Sequence, residues 1–119
     1  MYEIMFYQFC EVQVEWRTTP YYLTFMRGIQ LPFIPFHGLE IKFEEGDTIT
    51  IHNDPLTEFF WDAKKGVMQI WLPRKVISYG TILNFYVNGY WNFSEEHDNR
   101  VWIELDERYK KMNPKGENV

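Results

Sequence analysis

Cysteine is all but absent from this chain, and so are the usual marks of export or membrane insertion. The lone Cys10 cannot form an internal disulfide, which fits a reducing compartment. No run of about 18 uncharged apolar residues exists, so no membrane span is expected. The N-terminus reads MYEIMFYQFCEVQVEW, with Glu3 ahead of any basic residue and Glu11 and Glu15 at alternating positions. A secretory signal instead has a positive start and an unbroken apolar core. A cytoplasmic, unexported protein is expected, in which the Asn92-Phe93-Ser94 acceptor pattern has no meaning.

Residues with obvious chemistry are scarce too. Ser78 and Ser94 are the only serines, and neither sits in a Gly-x-Ser-x-Gly elbow. Cys10 lies on the apolar side of an alternating segment, where a buried inert thiol is expected. His37, His52 and His97 are too widely spaced to form a metal-ligand unit, and a His52–Asp54 pair reads better as surface residues beside a turn. Gly66, Gly80 and Gly89 stand alone at turns, so no glycine-rich loop cradles phosphate. No catalytic residue, metal or cofactor is expected. The carboxylate clusters Glu44, Glu45, Asp47 and Glu95, Glu96, Asp98 read as open turn tips, whereas carboxylate-pair hydrolysis needs a shaped, partly dry cleft. A hydrolase is the poorest of three functional readings.

What the chain does have is acid and aromatic surface. Its 119 residues carry 12 Lys and Arg against 17 Asp and Glu, a net charge of −5. Residues 1–36 balance at −1, 37–72 at −4 and 73–119 at zero. A field concentrated in the middle third repels nucleic-acid phosphates and steers a basic partner. The 5 Trp, 8 Tyr and 10 Phe exceed what the core of so short a domain requires. An apolar fraction of 45% excludes disorder for most of the chain.

Alternation is the dominant pattern. Cys10–Trp16 and Tyr21–Met26 read as strands. Leu39, Ile41, Phe43 and then Ile49, Ile51 alternate with polar residues around a Glu45-Gly46 turn. Glu58–Trp61 and Val67–Leu72 flank a five-residue loop, Asp62–Gly66, and make a second hairpin. Ile82–Val87 and Tyr90–Phe93 flank Asn88-Gly89, a strong type I′ signal, and make a third. A polar loop over 94–100 leads to a strand of Val101, Ile103 and Leu105, with a short C-terminal helix over Asp106–Met112. The whole predicts an all-β single domain over 1–112, an antiparallel sandwich or barrel of about eight or nine short strands, with a disordered polar tail over 113–119. Leu39, Ile41, Phe43, Ile49, Ile51, Val101, Ile103 and Leu105 are expected to point into one core. Between Pro32 and Pro35 large apolar residues form either a strap over the core or a docking arm.

Function enters through the consecutive Phe59, Phe60 and Trp61. Strand geometry sends Phe59 and Trp61 to one face and Phe60 to the other. Met68, Ile70 and Leu72 are expected on the core side and Gln69 and Trp71 on the outer side, so whichever aromatic lines up with Gln69 and Trp71 is the contact residue. The expected partner-binding set is Glu44, Glu45, Asp47, Glu58, Phe59, Trp61, Asp62 and Trp71. It describes a non-enzymatic protein whose carboxylates ring aromatic anchors and dock on a basic protein surface, with no nucleic acid or membrane as partner and self-association left open. In size, acidity and lack of catalytic motifs the chain resembles small inhibitor and immunity proteins, phage antidefence proteins among them, in composition alone. The alternative is a β-barrel binding a small molecule in an aromatic-lined pocket.

Overall fold

A computed structural model describes residues 1–114. Of the polar tail expected over 113–119, residues 115–119 lie outside it. Among the described residues seven strands form, fewer than the eight or nine expected of a sandwich or barrel: β1 (Tyr2–Val12), β2 (Tyr21–Leu31), β3 (Glu40–Lys42), β4 (Thr48–Thr50), β5 (Glu58–Asp62), β6 (Val67–Val76) and β7 (Asn92–Phe93). A short helix α1 (Tyr79–Thr81) runs into a π-helical segment (Ile82–Val87), and a long helix α2 (Glu96–Met112) closes the described chain.

The protein is mostly β with a C-terminal helix, but the sheet is mixed rather than antiparallel. Five strands pair in the order β5-β6-β1-β2-β7, and β3-β4 form a small sheet of their own. β1 and β6 bring their C-terminal ends together, where the Ile77 N–H donates to the Glu11 carbonyl at 3.0 Å. The chain divides into two compact units, one of residues 1–6 and 28–73, the other of residues 7–27 and 74 onward.

In the first unit both expected hairpins are present. Ile41 pairs with Ile49 and both are buried, as is Ile51, while Leu39 and Phe43 are half-buried. Gly46 supplies the positive φ that this turn needs. The β5–β6 loop is closed by Asp62, whose Oδ1 accepts the N–H groups of Lys64 and Lys65 at 3.1 and 3.2 Å. An Asx-type contact of this kind replaces backbone pairing where the chain reverses.

The second unit departs from the alternation reading in four places, the first being that β1 ends at Val12, so residues 13–16 of the expected strand Cys10–Trp16 lie outside it. Ile82–Val87 is not a strand: its ladder is i→i+5, with the Asn88 N–H on the Leu83 carbonyl at 2.8 Å. Gly89 has no positive φ, so Asn88-Gly89 is not a type I′ turn, and only Asn92–Phe93 pairs, with Met26 and Phe25 of β2. The expected strand at 101–105 is part of α2. Asp98, Trp102 and Leu105 are its buried residues, at steps of four and three, and Ile103 is 47% exposed. The helix is also far longer than the expected 106–112, because it starts at Glu96, with Glu95 as its N-cap, inside the loop expected over 94–100. Glu95 and Asp98 form a capping box in which the Glu95 N–H donates to Asp98 Oδ2 at 3.0 Å. Asp98 Oδ1 also accepts the Thr24 N–H at 3.0 Å, which ties the helix start to β2.

Cys10 is fully buried, as its place in the alternation implies. Burial pushes its thiol from 9.0 up to about 12, against the opposing pull of Lys75 and a Tyr86 hydrogen bond. At pH 8 the folded protein therefore carries almost no thiolate, and Ellman's reagent is expected to react only with the unfolded chain. Reaction of native protein at the unfolded rate would contradict this burial. The sign of the linked stability effect follows: the unfolded thiol ionises first, so stability falls as pH rises from about 9 toward 12.

Candidate protein-binding surface

The hairpin β5–β6 runs in unbroken register, Glu58 opposite Trp71, Phe59 opposite Ile70, Phe60 opposite Gln69, Trp61 opposite Met68 and Asp62 opposite Val67. Opposed residues share a face. One face thus carries Phe59 and Trp61 with the buried Met68 and Ile70. The other carries Glu58, Phe60 and Asp62 with Trp71, Gln69 and Val67. Phe60 therefore stands between two carboxylates on the outer side, 48% exposed. Trp61 belongs to the core side but is still 51% exposed, because β5 is an edge strand. Phe59 is half-buried, with the His37 ring edge-on at 4.9 Å.

His37 connects this hairpin to the proline-bounded segment. Its Nδ1 lies 3.1 Å from the His52 carbonyl oxygen, and the neighbouring Leu39 carbonyl accepts the Ile51 N–H at 2.8 Å. The segment is pinned at its end, yet only Pro35 is buried within it, and Phe33, Ile34 and Phe36 are exposed. Leu56, just before β5, is exposed as well. Its N–H donates to Asp54 Oδ1 at 2.8 Å, so Asp54 serves the turn.

The expected contact residues thus fall in two groups within this unit. Glu58, Phe59, Trp61, Asp62 and Trp71 come together on one hairpin. Glu44, Glu45 and Asp47 occupy the tip of the separate β3–β4 sheet, where Gly46 donates its N–H to the Phe43 carbonyl at 3.0 Å. Phe60 lies outside the expected set, although it is the aromatic that lines up with Gln69 and Trp71. Phe33, Ile34 and Phe36 had only Pro32 and Pro35 as a signal, and Leu56 had none.

The division into units sharpens the charge asymmetry. The first unit holds eight carboxylates against three lysines, a balance of −5, and the second holds nine of each sign. The whole net charge of the protein therefore belongs to the unit that carries the exposed β5 aromatics.

The second unit has a different feature, a cavity of about 350 Å³ lined by Gln13–Trp16, Ser78, Tyr79, Tyr109, Met112 and Asn113. Tyr79 is stacked between Tyr109 at 3.8 Å and Trp102 at 5.4 Å, and its hydroxyl donates to Asp106. Burial, then the Asp106 contact, pushes the Tyr79 phenol well above its ordinary range, so it stays protonated. Among the described residues no three of His, Cys, Asp and Glu could hold a metal ion, and no helix is long and apolar enough to cross a membrane. Comparison with protein-family models, with curated proteins and with solved structures finds no match.

Proposed function

We propose that this protein is a non-enzymatic, cytoplasmic acidic binding protein of the inhibitor or immunity type, docking on a basic protein surface. One observation carries the reading: exposed Phe60 and Trp61 lie in the same compact unit as the entire net charge of −5. Desolvated aromatics supply the hold at such an interface, and surrounding carboxylates raise the rate of encounter. The exposed Phe33 and Phe36, with ring centroids 6.3 Å apart, extend the apolar surface and favour the docking-arm reading of their segment.

Selection from a display library of random dodecapeptides tests this. The selected peptides should be rich in Lys and Arg, and their association should slow as salt is raised. Charge reversal of Glu44, Glu45 and Asp47 should slow association further. Phe60→Ala and Trp61→Ala should weaken binding by about tenfold or more while leaving stability within about 0.5 kcal/mol. Selection of neutral or acidic peptides, or of none, would overturn the proposal. The cavity beside Tyr79 supports a second reading, a site for a small neutral aromatic ligand, since its volume falls in the range of ligand pockets. Such binding would be indifferent to salt and to those charge reversals.

A further inference from the structure

We propose that the open edge of β5 takes up an extended segment of the basic partner as an added strand. The inference rests on the reading of the protein as an acidic binding module and specifies how the partner is held.

β5 ends the strand order of the five-stranded sheet, so one side of it has no strand neighbour among the described residues. The Asp62 carbonyl turns inward and accepts the Gly66 N–H at 2.8 Å. Backbone groups alternate in direction along a strand. Inward groups at Glu58, Phe60 and Asp62 therefore leave the N–H and C=O of Phe59 and Trp61 directed to the open edge. Natural edge strands are commonly blunted by proline, lysine or a bulge. β5 has no proline and no lysine, and its five-pair register with β6 is continuous.

The side chains select the occupant. Glu58 and Asp62 flank Phe60 on one face, which suits Lys or Arg at alternate positions of an added strand, paired with carboxylate and set against the ring. Phe59 and Trp61 on the opposite face suit apolar residues at the intervening positions. A second copy of this chain is a poorer match: antiparallel pairing centred on Phe60 sets Glu58 of one copy against Asp62 of the other, and like charges directly opposite are unfavourable. Lys64 and Lys65 stand in the loop beyond Asp62, so a basic strand is accommodated only as far as that residue.

The probe is an acetylated, amidated octapeptide of alternating Lys and Val. It should bind the full chain at least tenfold more tightly than its Glu/Val counterpart, and hydrogen exchange at the Phe59 and Trp61 amides should slow on binding. N-methylation of one alternate set of peptide amides should abolish binding, and methylation of the other set should leave it within about threefold, since only one set faces the edge. Glu58→Lys, a surface change, should weaken binding about tenfold. Equal tolerance of both methylated peptides, or unprotected Phe59 and Trp61 amides, would overturn strand addition. So would failure of the Lys/Val peptide where basic dodecapeptides bind, and the acidic-module reading would then survive alone. Sedimentation showing a dimer that Glu58→Lys tightens, by setting a lysine against Asp62 of the second copy, would assign the edge to self-pairing instead.

Discussion

Trp102→Ala and Leu105→Ala each lower the stability of the fold by about 3–5 kcal/mol, whereas Ile103→Ala leaves it within about 1 kcal/mol. The contrast follows from the helical path of α2. Trp102 is buried with its ring parallel to Tyr79 at 5.4 Å, and Leu105 is entirely buried one turn further on. Truncating either removes buried apolar area and leaves a cavity that close packing only partly refills. Ile103 points away from that stripe, 47% exposed. On a strand, by contrast, Ile103 and Leu105 would share a face and lose similar amounts, with Trp102 on the other side. Urea unfolding of the three variants separates the two cases. Equal costs at 103 and 105 would refute the helix.

Gly89→Ala is expected to cost about 3 kcal/mol or more, or to prevent folding altogether. A Cβ at this position would stand 2.1 Å from the Phe85 carbonyl oxygen and 3.0 Å from its carbon. Both are backbone atoms of the π-helical segment, so neither can swing aside as the end of a long side chain could. The same glycine in a type I′ turn would be needed for its positive φ, a conformation that asparagine also tolerates. Gly89→Asn distinguishes the two roles. It should be as damaging as alanine, because the obstacle is the Cβ itself. Near-native stability of Gly89→Asn would show that φ, and not close approach, is what the position requires. Gly46, whose added Cβ meets nothing within 4 Å, serves as the comparison, since only its φ of +95° opposes a side chain.

The two hairpins of the first unit were legible because each satisfies local rules that nothing else in the chain contests. Ile41 and Ile49 alternate with charged neighbours across a glycine turn, and the Asp62–Gly66 loop has its own side-chain contacts to close it. The second unit departs from its alternation where two periodicities overlap. Val101, Ile103 and Leu105 alternate as a strand does, while Asp98, Trp102, Leu105 and Tyr109 recur at three and four as a helix does. Burial of an acidic residue hid the second pattern, because Asp98 is inside for its two backbone N–H partners and not for apolarity. The Glu95-x-x-Asp98 box was the local sign that decides in favour of the helix.

The candidate surface divides along the same line. Composition and position along the chain determined by themselves that the protein is acidic and aromatic-rich, that most of its net charge lies in the middle third, and that Phe59, Phe60 and Trp61 cannot all share a face. The period of two along a strand is a property of the backbone and needs no tertiary information. The tertiary structure alone decided that β5 is an edge strand, that Phe60 stands between Glu58 and Asp62 on the outer face, and that one compact unit carries the whole net charge. Sheet order, and with it the exposure of an edge, depends on which strands pair across long stretches of chain. In this protein β1 and β6, more than fifty residues apart in sequence, are neighbours. Pairing of that kind is fixed by packing over the whole chain and leaves no mark in any local window of residues.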